Sequence, residues 1–270
     1  MSPVEAAILV AVGALIGTYA TAIGAGGGFL IAPLLLIRYP ESDPVGVTTA
    51  SLSVVFVSAV SSTAVMARER LVDLKVVGAM AAIAIPSAII GGIVTDYVPR
   101  DAFAIGFAVL LGAIGAYLIW RPVAGMVAPA HRAWRRQLVD ADGNQYLYRI
   151  PVLSSIAPNV GAAFLGALAG IGGGPIGVPI MTRVMRIPHA IATTSMHALI
   201  IGQSAIVVGM HLGLGHAGEP MRDVPWLALG GVLGSPVGRL VRRRLGEGPL
   251  TRALAVGLFF IALRTAWSAF

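Results

Sequence analysis

The sequence predicts an all-α polytopic membrane protein made of two inverted repeats, each with a glycine-broken helical hairpin and three transmembrane helices. Three observations predict this fold class: an apolar composition, a glycine-rich motif that occurs twice, and an uneven distribution of basic residues. The 270 residues are 57% hydrophobic and only 11% charged, and their mean hydropathy is +0.85. A soluble domain carries about 25% charged residues, so the composition excludes an ordinary soluble enzyme and favours a helical membrane protein.

Ten apolar runs divide the chain, and eight of them are long enough, or nearly so, to cross a hydrocarbon core about 30 Å thick. The runs cover residues 3–23, 28–37, 45–67, 74–95, 102–120, 151–169, 175–185, 190–212, 224–241 and 250–269. The second and seventh runs would each rise only about 15 Å as helices, and each follows a cluster of glycines. We interpret the first run as a retained helix, because no Lys or Arg precedes Ala6 and a secretory signal begins with a positive region.

The glycine clusters belong to a motif that occurs twice. They span residues 24–28 and 170–174, an offset of 146 residues, and a proline follows each cluster at the same offset. Two hydroxyl patches, Thr49-Ala50-Ser51 and Thr193-Thr194-Ser195, come later at an offset of 144 residues. Two motifs in the same order at nearly equal offsets predict two homologous halves. The domains expected are a first transmembrane repeat at 1–120, a cytoplasmic linker loop at 121–149 and a second transmembrane repeat at 150–270.

Basic residues distinguish two arrangements of the short runs. If each short run turns back at its glycine break, segments 68–75, 121–149, 183–189 and 239–252 share one side of the membrane and hold fifteen of the 19 Lys and Arg. The other four, Arg38, Arg100, Arg222 and Arg264, lie on the opposite side. If the short runs prolong the preceding helices, the split is ten to nine. Cytoplasmic loops are enriched in Lys and Arg, so the first arrangement is predicted. It inverts the second half relative to the first and places both termini outside, which is the plan of many secondary transporters.

The linker contains one acidic motif that resembles the start of a calcium loop. Counted from Asp140, however, positions six and twelve are Gln145 and Pro151, whereas an EF-hand requires Gly and Glu there. Asp142-Gly143 lies between two short apolar runs, which is typical of a β-hairpin turn. A hairpin within a cytoplasmic linker is therefore the preferred interpretation.

The glycine clusters are the first candidate binding residues. A glycine break that opens a helix exposes unpaired N–H groups and the positive end of the helix dipole, and such ends bind anions. The structural alternative is tight helix packing through small residues. Because the break is repeated and each copy precedes a short helix, we favour a substrate-binding role. The residues concerned are Gly24, Gly26, Gly27, Gly28, Gly170, Gly172, Gly173 and Gly174.

Hydroxyl side chains are the second group of candidates. On the run 45–67 they form a polar stripe that includes Thr48 and Ser51, and such a stripe on a membrane helix faces protein or water. The alternative to substrate binding is interhelical hydrogen bonding. The hydroxyls that recur after both breaks are favoured as donors to an oxyanion. They are Thr49, Ser51, Thr193, Thr194 and Ser195.

His197 is the one ionisable residue deep within a predicted span, and ionisable residues there are functional by default. It is expected to donate to an anion or carry a proton, against the alternative of a neutral histidine bonded to a nearby carbonyl. Gln203 is a candidate amide donor, with helix–helix bonding as its alternative. His211 and His216 lie near span ends and are expected at the interface.

The residues absent from the spans also limit the function. No Asp or Glu lies deep in any run and the chain has no Cys, so we expect no metal, no cofactor and no cation site. The net charge of +7 is assigned to cytoplasmic loops rather than to nucleic-acid binding. The expected partners are a small anionic substrate and the lipid bilayer, and a homo-oligomer is left open.

These doubled motifs resemble the sulfite exporter TauE/SafE permeases. The resemblance rests on the two glycine breaks, on Pro33 and Pro179 after them and on the two hydroxyl patches, and it covers nearly the whole chain. It implies transport of sulfite, sulfonates or related small anions across the inner membrane. It carries family character to the glycine clusters and the hydroxyl patches only, whereas His197 and Gln203 rest on the residue-level interpretation.

Three functional hypotheses follow. The first is a secondary transporter, with export favoured, that moves a small sulfur-containing anion by alternating access. The second is a passive anion channel, or a proton-coupled uptake permease for another organic anion. The third is an intramembrane enzyme, which is disfavoured because the chain has no Gly-x-Ser-x-Gly elbow and no His-Glu-x-x-His motif.

Overall fold

The computed structural model describes residues 1–120, 133–245, 249, 252 and 255–260. The first half contains five helices: α1 Pro3–Ile23, α2 Gly28–Arg38, α3 Pro44–Ala67, α4 Leu74–Thr95 and α5 Arg100–Trp120. A hairpin of β1 Ala133–Val139 and β2 Gln145–Pro151 follows. The second half contains α6 Val152–Leu168, α7 Gly174–Pro179 with a π-helical continuation Ile180–Val184, α8 His189–Gly213, a 3₁₀ turn Glu219–Arg222 and α9 Val224–Leu245. Residues 255–260 are also helical, and the rest of the predicted run 250–269 lies largely outside the described residues.

Six of the described helices are long and apolar enough to cross a membrane. They are Pro3–Ile23, Pro44–Ala67, Leu74–Thr95, Arg100–Tyr117, His189–Gly213 and Val224–Leu245. The predicted span at 151–169 forms the shorter apolar helix α6, of 17 residues. The architecture is therefore that of a mainly helical, multi-pass membrane protein.

Local sequence explains where α1 begins and where it breaks. The Ser2 hydroxyl accepts from the Glu5 backbone N–H, and the Glu5 carboxylate accepts from the Ser2 N–H, which together form a capping box. The helix ends at Gly24, whose φ of 79° is left-handed. Helix α2 then begins after Gly27, which also has a left-handed φ, of 81°. Residues with a Cβ rarely adopt this conformation, so the glycines permit the break.

The helices of the two halves pack across each other. Helix α1 lies along α9, α6 lies along α4, and α3 packs against α8. The contact between α1 and α9 is close, because a Cβ built on Gly230 would lie only 2.2 Å from the carbonyl oxygen of Val10. Gly91 makes the equivalent close approach between α4 and α6, with a built Cβ 2.3 Å from the Phe164 carbonyl oxygen. Small residues thus allow both pairs of backbones to approach.

The linker forms the predicted hairpin, so the described chain is mostly but not purely helical. Strands β1 and β2 pair antiparallel, with Arg136 opposite Tyr148 and Val139 opposite Gln145. Gly143 has a φ of 86° at the turn, as expected for an Asp-Gly hairpin. Strand β2 runs directly into α6, so the base of the hairpin is continuous with a membrane helix.

Polar contacts gather the loops into two ends. At one end Glu69, after α3, pairs with Arg239 and Arg242 near the end of α9, and the hairpin contacts the turn between α3 and α4. We call this the basic end. At the opposite end Arg38 pairs with Asp223 at 2.6 Å and lies 4.0 Å from Glu5 in the first turn of α1. Since Arg38 is the last residue of α2, α2 runs back toward the start of α1, as predicted.

Candidate functional site

The two glycine breaks contact each other in the interior of the molecule. A Cβ built on Gly28 would lie 2.7 Å from the carbonyl oxygen of Gly170, and one built on Gly174 would lie 2.3 Å from that of Ala25. Ala25 and Ile171, the apolar residues within the two breaks, are fully buried. We call this contact the glycine junction. It requires glycine because any side chain at Gly28 or Gly174 would overlap the backbone of the other break.

Helices α3 and α8 flank the junction in matching ways. Gly170 packs against Thr48 of α3, and Gly24 packs against Thr193 of α8. Thr48 and Thr193 are 145 residues apart, one more than the offset of the hydroxyl patches. The equivalent contacts therefore pair Thr193 with Thr48 and not with Thr49. The offset of the hydroxyl patches instead aligns Thr49 with Thr193, and a one-residue shift in register rotates a side chain by about 100° about the helix axis, so the sequence places Thr48 only on the polar stripe.

Two apolar side chains lie between the breaks. A Cβ on Gly26 would be 3.0 Å from Ile200 Cδ1 and 3.4 Å from Val55 Cγ1. A Cβ on Gly172 would be 2.8 Å from Val55 Cγ1 and 3.4 Å from Ile200 Cγ2. Val55 and Ile200 are also 145 residues apart. The junction is thus closed by one apolar residue from each half, which the sequence motifs did not single out.

Ser51 bridges the two breaks. Its hydroxyl donates to the Gly170 carbonyl at 2.7 Å and lies 3.5 Å from the Gly28 carbonyl oxygen. Ser51 is therefore the predicted hydroxyl that lies most directly at the junction. Thr193 is also there, and its hydroxyl bonds the carbonyls of its own helix and accepts from Arg242 Nη1 at 3.3 Å.

His197 is buried one turn beyond Thr193. Its Nδ1 lies 2.9 Å from the Thr193 carbonyl oxygen, so we assign the proton to Nδ1, which donates. Its Nε2 is buried and has no partner among the described residues. The Thr48 hydroxyl, at the other flank of the junction, is likewise buried and unpartnered there. Buried polar atoms without partners are rare in folded proteins, so the Thr48 hydroxyl marks the flank of the junction as polar and His197 adds a second such atom one turn along α8.

Three predicted hydroxyls lie away from the junction. Thr49 contacts His211 Nδ1 at 2.8 Å. Thr194 donates to the Leu71 carbonyl at 2.7 Å, and Ser195 accepts from the Asp73 N–H at 3.0 Å. Thr194 and Ser195 therefore join α8 to the turn between α3 and α4, at the basic end.

Gln203 and His211 are both buried on α8. Gln203 is buried beside Gly173 and lines a cavity of about 10 Å³, a volume near the minimum for one water molecule. His211 was expected at the interface, but the structure corrects this, because the side chain is fully buried and its Nε2 lies 3.1 Å from the Gly92 carbonyl oxygen. Position near a helix end did not predict burial here, because α8 packs between other helices along its length.

Asp73 organises the basic end. Its carboxylate accepts from Arg136 Nε and Nη2, at 2.9 and 2.6 Å, and from the Tyr148 hydroxyl at 2.5 Å. It also caps α4 through the Lys75 and Val76 N–H groups. Burial alone would raise the pKa of Asp73, but the hydrogen bonds from Arg136 and Tyr148 outweigh it and hold the pKa below its ordinary value. Burial and the Asp73 carboxylate together raise the pKa of Tyr148.

Comparison with known proteins places this geometry in context. A family model described as sulfite exporter TauE/SafE matches residues 9–265. The "Probable membrane transporter protein YunE" of Bacillus subtilis (strain 168) is 28% identical over 245 residues, which cover 88% of this chain and 90% of that protein. No solved structure matches the chain. The matched region contains both glycine breaks and both hydroxyl patches.

Proposed function

The chain belongs to the sulfite exporter TauE/SafE family of membrane transporters, and from this premise we propose that it is a secondary transporter of a small sulfur-containing anion. The substrate class is sulfite or an organosulfonate, carried across the inner membrane by alternating access, with export the favoured direction. The observation that carries the proposal is the glycine junction, where two helix breaks meet at one buried point beside the unpartnered Thr48 hydroxyl.

The chemistry of the junction supports an anionic substrate. The buried Thr48 hydroxyl is a donor without a partner among the described residues, whereas the Ser51 hydroxyl donates to the Gly170 carbonyl and the Thr193 hydroxyl accepts from Arg242. Helices α2 and α7 begin at this point after Gly27 and Gly173, without a side-chain cap. The helix starts and the Thr48 hydroxyl together form a neutral donor set for an oxyanion. Gln203 extends that set along α8, and His197 joins it only when protonated, because its Nε2 is an acceptor while Nδ1 holds the proton.

The packing supports two inverted repeats, at 1–120 and 150–270, on either side of the linker. Helix α1 lies along α9 as α6 lies along α4, which is the exchange expected if each half corresponds to the other. The junction is buried and both ends carry ion pairs, so an anion reaches the site only when packed elements separate. Rocking of one repeat against the other would open the two ends in turn.

Counterflow in proteoliposomes tests the proposal. Vesicles with purified protein are preloaded with sulfite, thiosulfate, sulfoacetate, taurine or a plain carboxylate, and exchange of the labelled compound is followed. We expect saturable counterflow for one sulfur oxyanion, and its loss in His197→Ala because the buried Nε2 is then gone. His216→Ala is the matched control, since His216 lies at the opposite end beside Asp96. Non-saturating flux without counterflow would indicate a channel, and flux of the carboxylate alone would indicate an uptake permease for another anion.

A further inference from the structure

The β-hairpin contacts the turn between α3 and α4 at the basic end. Arg136 and Tyr148, which face each other across β1 and β2, both donate to the Asp73 carboxylate. The Asp73 side chain is only 1% exposed. Nearer the tip, the Ala141 N–H donates to the Glu69 carbonyl at 3.1 Å. The hairpin is thus fastened to the turn between α3 and α4 by polar contacts, and Tyr148 also packs in the apolar core.

The same turn covers the hydroxyl patch of α8. The Asp73 N–H donates to Ser195, and Thr194 donates to the Leu71 carbonyl. Both hydroxyl residues are 0% exposed. Hairpin, turn and patch are therefore stacked in that order, and the patch becomes accessible from the basic end only if the turn moves.

The two ends of the molecule differ in where the cation that pairs with the buried aspartate comes from. Asp223 immediately precedes α9 as Asp73 immediately precedes α4, and Asp223 pairs with Arg38 in the last turn of the first broken helix. Arg183 occupies the last turn of the second broken helix. It does not pair with Asp73: its Nη atoms are buried without a partner in the described part of the chain, and its guanidinium stacks 4.9 Å from the Tyr117 ring centroid. The cation for Asp73 comes instead from the linker.

The hairpin is attached by apolar contacts at its base and by the polar contacts to Asp73 farther along its strands. At its base Trp134 and Ile150, another opposed pair, line a small cavity with Val76 and Met80 of α4. Ile150 is fully buried, and β2 continues into α6. Loss of the Asp73 contacts would loosen the middle and tip of the hairpin, where Leu138 and Tyr146 are only partly buried, while the base stays attached.

We propose that the β1–β2 hairpin is a detachable latch that keeps the basic end closed by supplying Arg136 and Tyr148 to Asp73. The proposal rests on the proposed function, because the latch closes the basic end, from which an anion would reach the glycine junction. Release of the latch frees the turn between α3 and α4, which uncovers Thr194 and Ser195. No membrane helix has to unfold for this step.

Thiol labelling tests the latch without any substrate. The chain has no cysteine, so Ser195→Cys provides a single reporter for N-ethylmaleimide in purified protein. Loss of a charge-assisted pair shifts the opening equilibrium enough that we expect Arg136→Gln to raise the labelling rate about tenfold. Arg135→Gln is the matched control, since Arg135 is exposed on the same strand. Equal labelling rates in the Arg136 and Arg135 variants would overturn the latch. Thr194→Cys replaces the reporter if Ser195→Cys does not fold.

A disulfide lock tests the link to transport. The pair Glu69→Cys/Ala141→Cys joins hairpin and turn, whereas Gln137→Cys/Leu147→Cys joins two opposed, exposed positions within the hairpin. We expect oxidation to stop counterflow only in the first pair, and reductant to restore it. Full flux through the oxidised first pair would contradict the latch. Faster labelling in Arg136→Gln, together with no counterflow of any anion by the native protein, would support the latch and remove the transport proposal. The two failures are therefore distinguishable.

Discussion

Asp73 shows how one side chain connects three parts of the molecule. Its carboxylate caps α4, accepts from Arg136 of β1 and accepts from Tyr148 of β2. Its backbone N–H donates to Ser195 of α8. A buried carboxylate is stable only when charged and neutral donors replace its water shell, and here those donors come from separate segments. Removal of the charge should therefore weaken tertiary contacts and not only the helix cap.

The pH dependence of stability tests this role of Asp73. The pKa of Asp73 in the folded protein lies below its ordinary value of 3.8, so its contribution to stability is complete above pH 3.8 and is lost as pH falls through the lowered pKa. At pH 7 we expect Asp73→Asn to unfold at a lower temperature than the native protein, because the lost hydrogen bonds reduce its free energy of unfolding by about 1–3 kcal/mol. The difference in unfolding free energy between the variant and the native protein should stay constant down to pH 5 and become smaller below pH 4. Asp142→Asn, in the exposed hairpin turn, is the control. A difference that already narrows between pH 7 and 5 would assign the effect to another group.

At the scale of elements, glycine determines which helices approach closely. Gly13 and Gly17 of α1 face Leu227 and Gly231 of α9, with built Cβ atoms within 2.6 Å of their backbones. The row Gly230, Gly234 and Gly238 lies against α1 in the same way. The close contacts of these small residues join the first helix of one half to a helix of the other.

Substitution in this row should separate α1 from α9. A Cβ on Gly234 would lie 2.2 Å from the Ala14 carbonyl oxygen, and backbone cannot move aside cheaply. We expect Gly234→Leu to cost more than the usual 1–3 kcal/mol of core overpacking and to reduce the monodisperse fraction in size-exclusion chromatography. Gly209→Leu is the matched control, because nothing lies within 4 Å of a Cβ there. Equal yields of the two variants would argue against the close α1–α9 contact.

The sequence predicted where helices and strands lie better than it predicted which of them contact each other. The helix bounds follow from apolar runs that end at glycine, proline or charge, so α1 at Pro3–Ile23 and α4 at Leu74–Thr95 match their predicted runs. The hairpin followed from Asp142-Gly143. The partner of each helix did not follow, because a row of small residues indicates a close contact but not which helix makes it. The shift from Thr49 to Thr48 at the junction has a similar cause, since spacing along the chain leaves the rotation of a helix about its axis open by one residue.

At the scale of the whole molecule, the charge distribution and the contacts divide the loops in the same way. The segments predicted to share one side include 68–75, the linker and the end of α9, and they meet at the basic end. Arg38 and Arg100, predicted on the other side, lie at the opposite end, where Arg38 pairs with Asp223 and Arg100 Nη2 donates to the Leu36 carbonyl at 2.9 Å. The positive-inside rule then assigns the basic end to the cytoplasm, which remains a prediction.

Single-cysteine labelling in intact cells tests this orientation. The chain has no cysteine, and Ser2 and Asp142 are both exposed, one before α1 and the other at the hairpin turn. If the basic end is cytoplasmic, a membrane-impermeant maleimide should label Ser2→Cys in spheroplasts, and should label Asp142→Cys only after permeabilisation. The reverse pattern would place the basic end and the latch outside, and the latch would then control release of the anion instead of its entry during export. Labelling of both positions without permeabilisation would mean that the first half crosses the membrane an even number of times, which would contradict the inversion of the repeats.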